Sequence, residues 1–108
     1  MAVDLEKVLE TRGKTHGPFQ VQFRIAQELK QKCLLVAPDN VVSSSLERDE
    51  YNDLLPVAQE TMDMIATKQS RLVAGDPLER DAWLDIAGYA TLMVKAIDLL
   101  KAEKDYTF

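Results

Sequence analysis

Residues 74 to 80 read A-G-D-P-L-E-R, and no other stretch limits the possible folds so tightly. Gly75 suits the left-handed turn that closes a helix, and Asp76 can cap the next one. Pro77 occupies a first helical position, and Glu79 completes a capping box in Asp form. A connection this short between two long amphipathic patterns makes them an antiparallel pair. Upstream, Leu54, Ala58, Thr61, Ile65, Lys68 and Leu72 follow heptad spacing, and Leu55, Met62, Ala66 and Val73 widen the apolar arc, which predicts a helix over 54–74. Downstream, the periodicity predicts a helix over 77–103.

The rest of the chain is punctuated by Gly and Pro. Leu5, Val8 and Leu9 recur at helical spacing in a short N-terminal helix that ends near Gly13, and "GKTHG" reads as a loop. Pro18 opens a helix over 18–35, whose apolar arc holds Phe19, Phe23, Ala26, Leu29 and Cys33. Residues 36–53 are polar and form the long connection, with room for one helical turn after Ser45. The expected fold is therefore all-α, an antiparallel helical bundle of three main helices plus a short N-terminal helix, in a single domain over 1–108. A helical chain of 108 residues buries a modest core, so completion by oligomerisation, as a homodimer or higher homo-oligomer, is expected.

A net charge of −5 and a pI near 4.8 argue against a broad phosphate-backbone footprint, which makes nucleic acid a weak candidate partner. The single cysteine, Cys33, cannot form an intrachain disulfide, and no apolar run follows a basic start. The expected compartment is the cytoplasm. No stretch approaches the ~20 apolar residues a membrane span requires.

On a wheel at about 100° per residue, the last helix carries two stripes. Trp83, Ile86, Ala90, Met93, Ile97 and Leu100 form one apolar seam. Asp81, Asp85, Gly88, Leu92, Ala96 and Leu99 form another, acidic in its first half and apolar in its second. Such a helix is expected to be central in the bundle or shared with a partner subunit, and Gly88 suggests a close approach. On the preceding helix, Glu60, Met64, Lys68 and Arg71 run along one edge, with Asp63 on the neighbouring polar face. The turn at Gly75 brings Lys68 and Arg71 to the same end of the bundle as Asp81 and Asp85, so acid and base are expected within reach.

The strings "ETRGKTHGPFQVQFRIAQELK", "ETMDMIATKQSRLVAGDP" and "DAWLDIAGYATL" resemble a family of short phage and prophage proteins. Its members share an R-G-x-x-H/Y-G start, a K-x-x-R helix end, a G-D-P turn and a D-x-W-x-D-x-x-G-Y-A helix. The resemblance covers most of the chain outside residues 36–53 and the tail. More distantly, three helices with acidic groups facing a bundle interior resemble the all-α nucleoside-triphosphate pyrophosphohydrolases of the MazG and dimeric dUTPase type. Those enzymes bind Mg²⁺ through E-E-x-x-E on one helix and E-x-x-D on the next. This chain has Glu60-x-x-Asp63 but no E-E-x-x-E, and Asp81 and Asp85 are the nearest substitutes.

That resemblance implies a (deoxy)nucleoside triphosphate pyrophosphohydrolase in a bacterial host cell. Glu60, Asp63, Asp81 and Asp85 would hold Mg²⁺, and Glu60, Asp81 and Asp85 would carry the catalytic role. Lys68 and Arg71 would neutralise phosphate charge, Trp83 or Tyr89 would stack on a base, and His16 would carry a proton or contact phosphate. Arg12, in the R-G-x-x-H start, joins the substrate-binding set. Two alternatives stay open: a non-catalytic protein that sequesters a nucleotide or cyclic-nucleotide second messenger, and an oligomeric interaction module that uses the second seam. Each residue also has a structural reading. Asp81 and Asp85 suit a helix start and ion pairing with Lys68 or Arg71, and Glu60 and Asp63 suit a solvated face. Trp83 is expected in the core, Cys33 as a buried thiol, His16 in solvent, and Met62, Met64 and Met93 as gap-filling side chains.

Overall fold

The computed structural model describes residues 4–37 and 48–106. They form four helices: α1 (Leu5–His16), α2 (Phe19–Lys32), α3 (Arg48–Ala74) and α4 (Arg80–Tyr106). The architecture is the expected all-α one, with no strand among the described residues. None of the helices is long and apolar enough to cross a membrane.

Several boundaries differ from the sequence reading. α1 runs straight through Gly13 to His16, so "GKTHG" is mostly helix rather than loop. The turn that ends it is at Gly17, whose φ is 78°. A mid-helix glycine weakens a helix by about 1 kcal/mol without forbidding it, and the cap bond from Gly17 N–H to Gly13 C=O closes the last turn. Pro18 is the N-cap of α2 rather than its first residue, and the helix ends three residues short of the expected Leu35. α3 starts at Arg48, six residues before the expected Leu54, and carries Pro56 inside it. Acidic Asp49 and Glu50 in the first turn favour that earlier start through the helix dipole. The expected loop over 36–53 thus shortens, and its residues 38–47 lie outside the described part of the chain.

The start of α4 also moves, from Pro77 to Arg80. Asp76 Oδ1 accepts from Leu78 N–H at 2.9 Å, and Glu79 N–H donates to Asp76 C=O at 3.2 Å. Asp76 therefore organises a tight turn over 76–79 that feeds the helix. The capping box does not form, because the Glu79 carboxylate turns toward His16 on α1.

α3 is the central element: α1, α2 and α4 all pack on it, and α4 touches no other helix. Of the two placements expected for the last helix, central in the bundle or shared with a partner subunit, the first is therefore not the one observed. The buried apolar side chains are Ala26, Ala66, Leu72 and Ala82, joined by polar Gln22 and Ser70. Ser70 satisfies its hydroxyl by donating to Thr67 C=O at 2.6 Å. Small residues let helix axes approach closely, but they bury little area. Of the buried apolar group only Leu72 supplies the ~1.5–3 kcal/mol that a large aliphatic side chain gains on burial.

On α2 the buried residues are Gln22 and Ala26; of the expected arc Ala26 is buried and Leu29 half-buried, whereas Phe19 and Phe23 are not. Both phenylalanines are exposed and pack edge to face, with ring centroids 5.7 Å apart. Cys33 is exposed rather than buried. On α4 the seam toward α3 is Ala82, Ile86, Tyr89, Met93, Ala96, Ile97 and Leu100, which falls between the two predicted stripes. The shift leaves Trp83 53% exposed instead of in the core. Met64 and Met93 are half-buried as gap-fillers, whereas Met62 lies at the surface.

Candidate functional site

The chemistry-bearing residues collect along the α3–α4 hairpin and at its tip. Midway, Lys68 Nζ and Asp85 Oδ2 form an ion pair at 2.9 Å. α3 presents Lys68 within its apolar arc, which leaves that side chain only 13% exposed, while Asp85 at the edge of α4 is 49% exposed. The ammonium thus gains a carboxylate partner at the mouth of an otherwise apolar seam, and the carboxylate keeps one side in water. Closer to the C-terminal end of α4, Thr61 Oγ1 lies 3.8 Å from Met93 Sδ, and the two residues continue the same seam.

At the tip, the end of α1 docks on the turn between α3 and α4. Asp76 N–H donates to Thr15 C=O at 2.9 Å. Gly17 and Gly75 lie backbone against backbone: a Cβ on Gly17 would collide with the Ala74 carbonyl, and one on Gly75 with the Thr15 carbonyl and the His16 backbone. Beside this contact, His16 Nε2 and Glu79 Oε1 are 3.3 Å apart, with both side chains less than one fifth exposed. A carboxylate that orients an imidazole is the arrangement by which a proton carrier is held. Here it also ties the end of α1 to the turn that precedes α4, between residues 63 apart in the chain. Two polar atoms at this end are buried without a hydrogen-bond partner, Arg71 Nε and Glu79 Oε2. His16 is therefore not a solvated loop residue, and Glu79, read from the sequence only as a capping residue, is its partner.

The remaining candidates are dispersed. Glu60 and Asp81 are exposed, Asp63 accepts from Gln59 Nε2 at 3.0 Å, and Asp85 is engaged with Lys68. Among the described residues, no three His, Cys, Asp or Glu side chains gather into a group that could hold a metal ion. The four carboxylates expected to hold Mg²⁺ are thus not gathered into one group within the chain. Arg12 is exposed on α1, and Tyr89 is half-buried on the α4 seam that faces α3.

One groove of about 620 Å³ lies along the hairpin near its tip, lined by Ile65, Gln69, Leu72, Trp83 and Ile86 among others. The Trp83 indole N–H donates to Pro77 C=O at 2.9 Å, which ties the side chain to the turn, and both residues line the groove. No charged side chain lines it, so it suits an apolar group better than a phosphate. Comparison with protein-family models, curated proteins and solved structures gives no match for this chain.

Proposed function

We propose that the protein is an oligomeric helical interaction module, which works by presenting apolar helix faces for association. The observation that carries this reading is the outer surface of α4. Nine consecutive residues, Ile86 to Val94, carry no charge, yet only the face toward α3 is covered. Leu92 stands 63% exposed, Val94 57% and Leu99 63%. A surface helix ordinarily turns charged residues to water, and one that is apolar all round is normally buried. The dimensions agree. The radius of gyration is 18.0 Å, against about 13 Å for a compact chain of this length.

Association that completes the core links stability to concentration. Thermal unfolding followed by circular dichroism over a hundredfold range of protein concentration is expected to give a Tm that rises with concentration. A Tm independent of concentration rejects the reading.

A second reading, nucleotide handling in the cytoplasm of a phage-infected or prophage-carrying bacterium, is favoured by Arg71. Its Nε is buried without a partner, one turn from Lys68, and a guanidinium in that position can take a phosphate oxygen. The reading is one of binding, with no step through a metal ion. Titration calorimetry against a panel of nucleotides and cyclic nucleotides, with product chromatography and an Arg71→Gln control, tests it. Heat of binding that disappears in the variant supports it, and no heat from any member of the panel removes it.

A further inference from the structure

Rotated about 110° from the seam that packs on α3, a second stripe of α4 repeats the same alternation of four and three residues. It runs Asp81, Asp85, Gly88, Leu92, Lys95 and Leu99, and every one of these residues is exposed. No described helix of the chain covers it, since α4 packs on α3 alone. Gly88 lies in its middle with nothing within 4 Å of the position a Cβ would take. Within a single chain that glycine weakens an exposed helix relative to alanine and nothing packs into the space it leaves.

The four central residues of the stripe, Asp85, Gly88, Leu92 and Lys95, have a symmetry that one chain does not use. Counting outward from position 90, Gly88 stands opposite Leu92, and Asp85 stands opposite Lys95. A twofold axis that crosses the stripe midway between Gly88 and Leu92, at the level of residue 90, sets two copies of α4 antiparallel, and both relations are then satisfied at once. Leu92 of each copy enters the gap left by Gly88 of the other, and the carboxylate of Asp85 meets the ammonium of Lys95. A parallel, in-register pairing would instead set Asp85 against Asp85 and Lys95 against Lys95. Asp85 stays 49% exposed while its Oδ2 holds Lys68, so a second cation can join it.

The area suffices. The accessible surface is 8201 Å², about 2,100 Å² more than a compact monomer of 12.2 kDa exposes. A standard interface takes only about 800 Å² from each partner.

We infer that this stripe of α4 is a twofold interface between two copies of the chain, packed antiparallel with Gly88 against Leu92 and Asp85 against Lys95. The inference rests on the association reading proposed above and names its partner and register.

The test is a directed cross-link in the full chain, with the exposed native thiol removed by Cys33→Ser. Chains carrying Gly88→Cys are mixed with chains carrying Leu92→Cys and oxidised mildly. Disulfide-linked heterodimer is expected at a yield at least fivefold above that of either chain oxidised alone. Lys95→Glu, a change at an exposed position that sets like charges together across the axis, is expected to weaken self-association at least tenfold with the helical signal unchanged.

Self-association by sedimentation without the 88-to-92 cross-link overturns the inference and leaves the association reading standing. A monomer at every concentration overturns both the inference and the association reading, and binding of an apolar-surface dye by that monomer then assigns the face to a different kind of partner.

Discussion

Gly17 and Gly75 touch through their backbones: a Cβ on Gly75 would lie 2.6 Å from Gly17 N. The contact holds the end of α1 and the start of α2 against the turn between α3 and α4, so it ties together all four helices. Each glycine is needed for a reason visible at its own position, and Gly17 additionally adopts φ 78°, where other residues are strained.

Gly75→Ala and Gly17→Ala are each expected to lower stability by about 2–4 kcal/mol, from overpacking against backbone and, at Gly17, left-handed strain. Gly13 has open space around its missing Cβ and sits inside α1. Gly13→Ala is therefore expected to raise stability by up to about 1 kcal/mol. Urea unfolding followed by far-ultraviolet circular dichroism separates the two behaviours, and similar effects at all three positions would discount the backbone contact.

The Lys68–Asp85 pair joins a cation that is 13% exposed to a carboxylate that is 49% exposed. Asp85→Asn is expected to cost about 1 kcal/mol, since half the pair is solvated. The difference from the parent protein should shrink in 1 M salt through screening of the exposed partner (Debye length ~3 Å). Lys68→Met removes the buried ammonium together with its need for a partner, and is expected to be closer to neutral than Asp85→Asn. The urea midpoints of the three proteins at low and high salt check the order.

His16 and Glu79 are both largely buried, and Glu79 Oε2 already lacks a partner. Removing His16 leaves the whole carboxylate without one, so His16→Ala is expected to cost about 1–3 kcal/mol. The double variant His16→Ala with Glu79→Ala should lose less than the sum of the singles, by about 0.5–1.5 kcal/mol of coupling. Additive losses would show that the two side chains do not act as a pair.

Trp83 is 53% exposed with its indole N–H donating to Pro77 C=O, and Cys33 is exposed. Trp83→Phe is expected to cost about 1 kcal/mol, the net value of one hydrogen bond, rather than the ~3–5 kcal/mol of a core aromatic truncation. In the native protein, a thiol reagent should label Cys33 to completion without denaturant. Slow labelling would mean that another surface covers that end of α2.

The sequence was legible where local chemistry decides the outcome and obscure where tertiary contact does. Gly75, Asp76 and Pro77 announced the turn, and the heptad from Leu54 to Leu72 gave the face of α3 correctly, Lys68 included. The pairing of Lys68 with Asp85 followed from that hairpin. Trp83 was misplaced because α4 is apolar on nearly every side, so periodicity alone does not say which side meets α3. Phe19 and Phe23 were misplaced for the opposite reason: α2 packs through small and polar residues, Gln22 and Ala26, while its largest apolar side chains stay outside. The His16–Glu79 link had no local signal, since its partners are 63 residues apart and Glu79 matched a capping pattern. Gly13 misled because a glycine inside a helix and one after it look alike in sequence.

The completion of this small core by a second chain is open to sedimentation equilibrium on the unmodified protein, from low micromolar to a few hundred micromolar. Convergence on a species of two 12.2 kDa chains is the expected result, with dissociation in the Lys95→Glu variant. A mass of one chain at every concentration would contradict it.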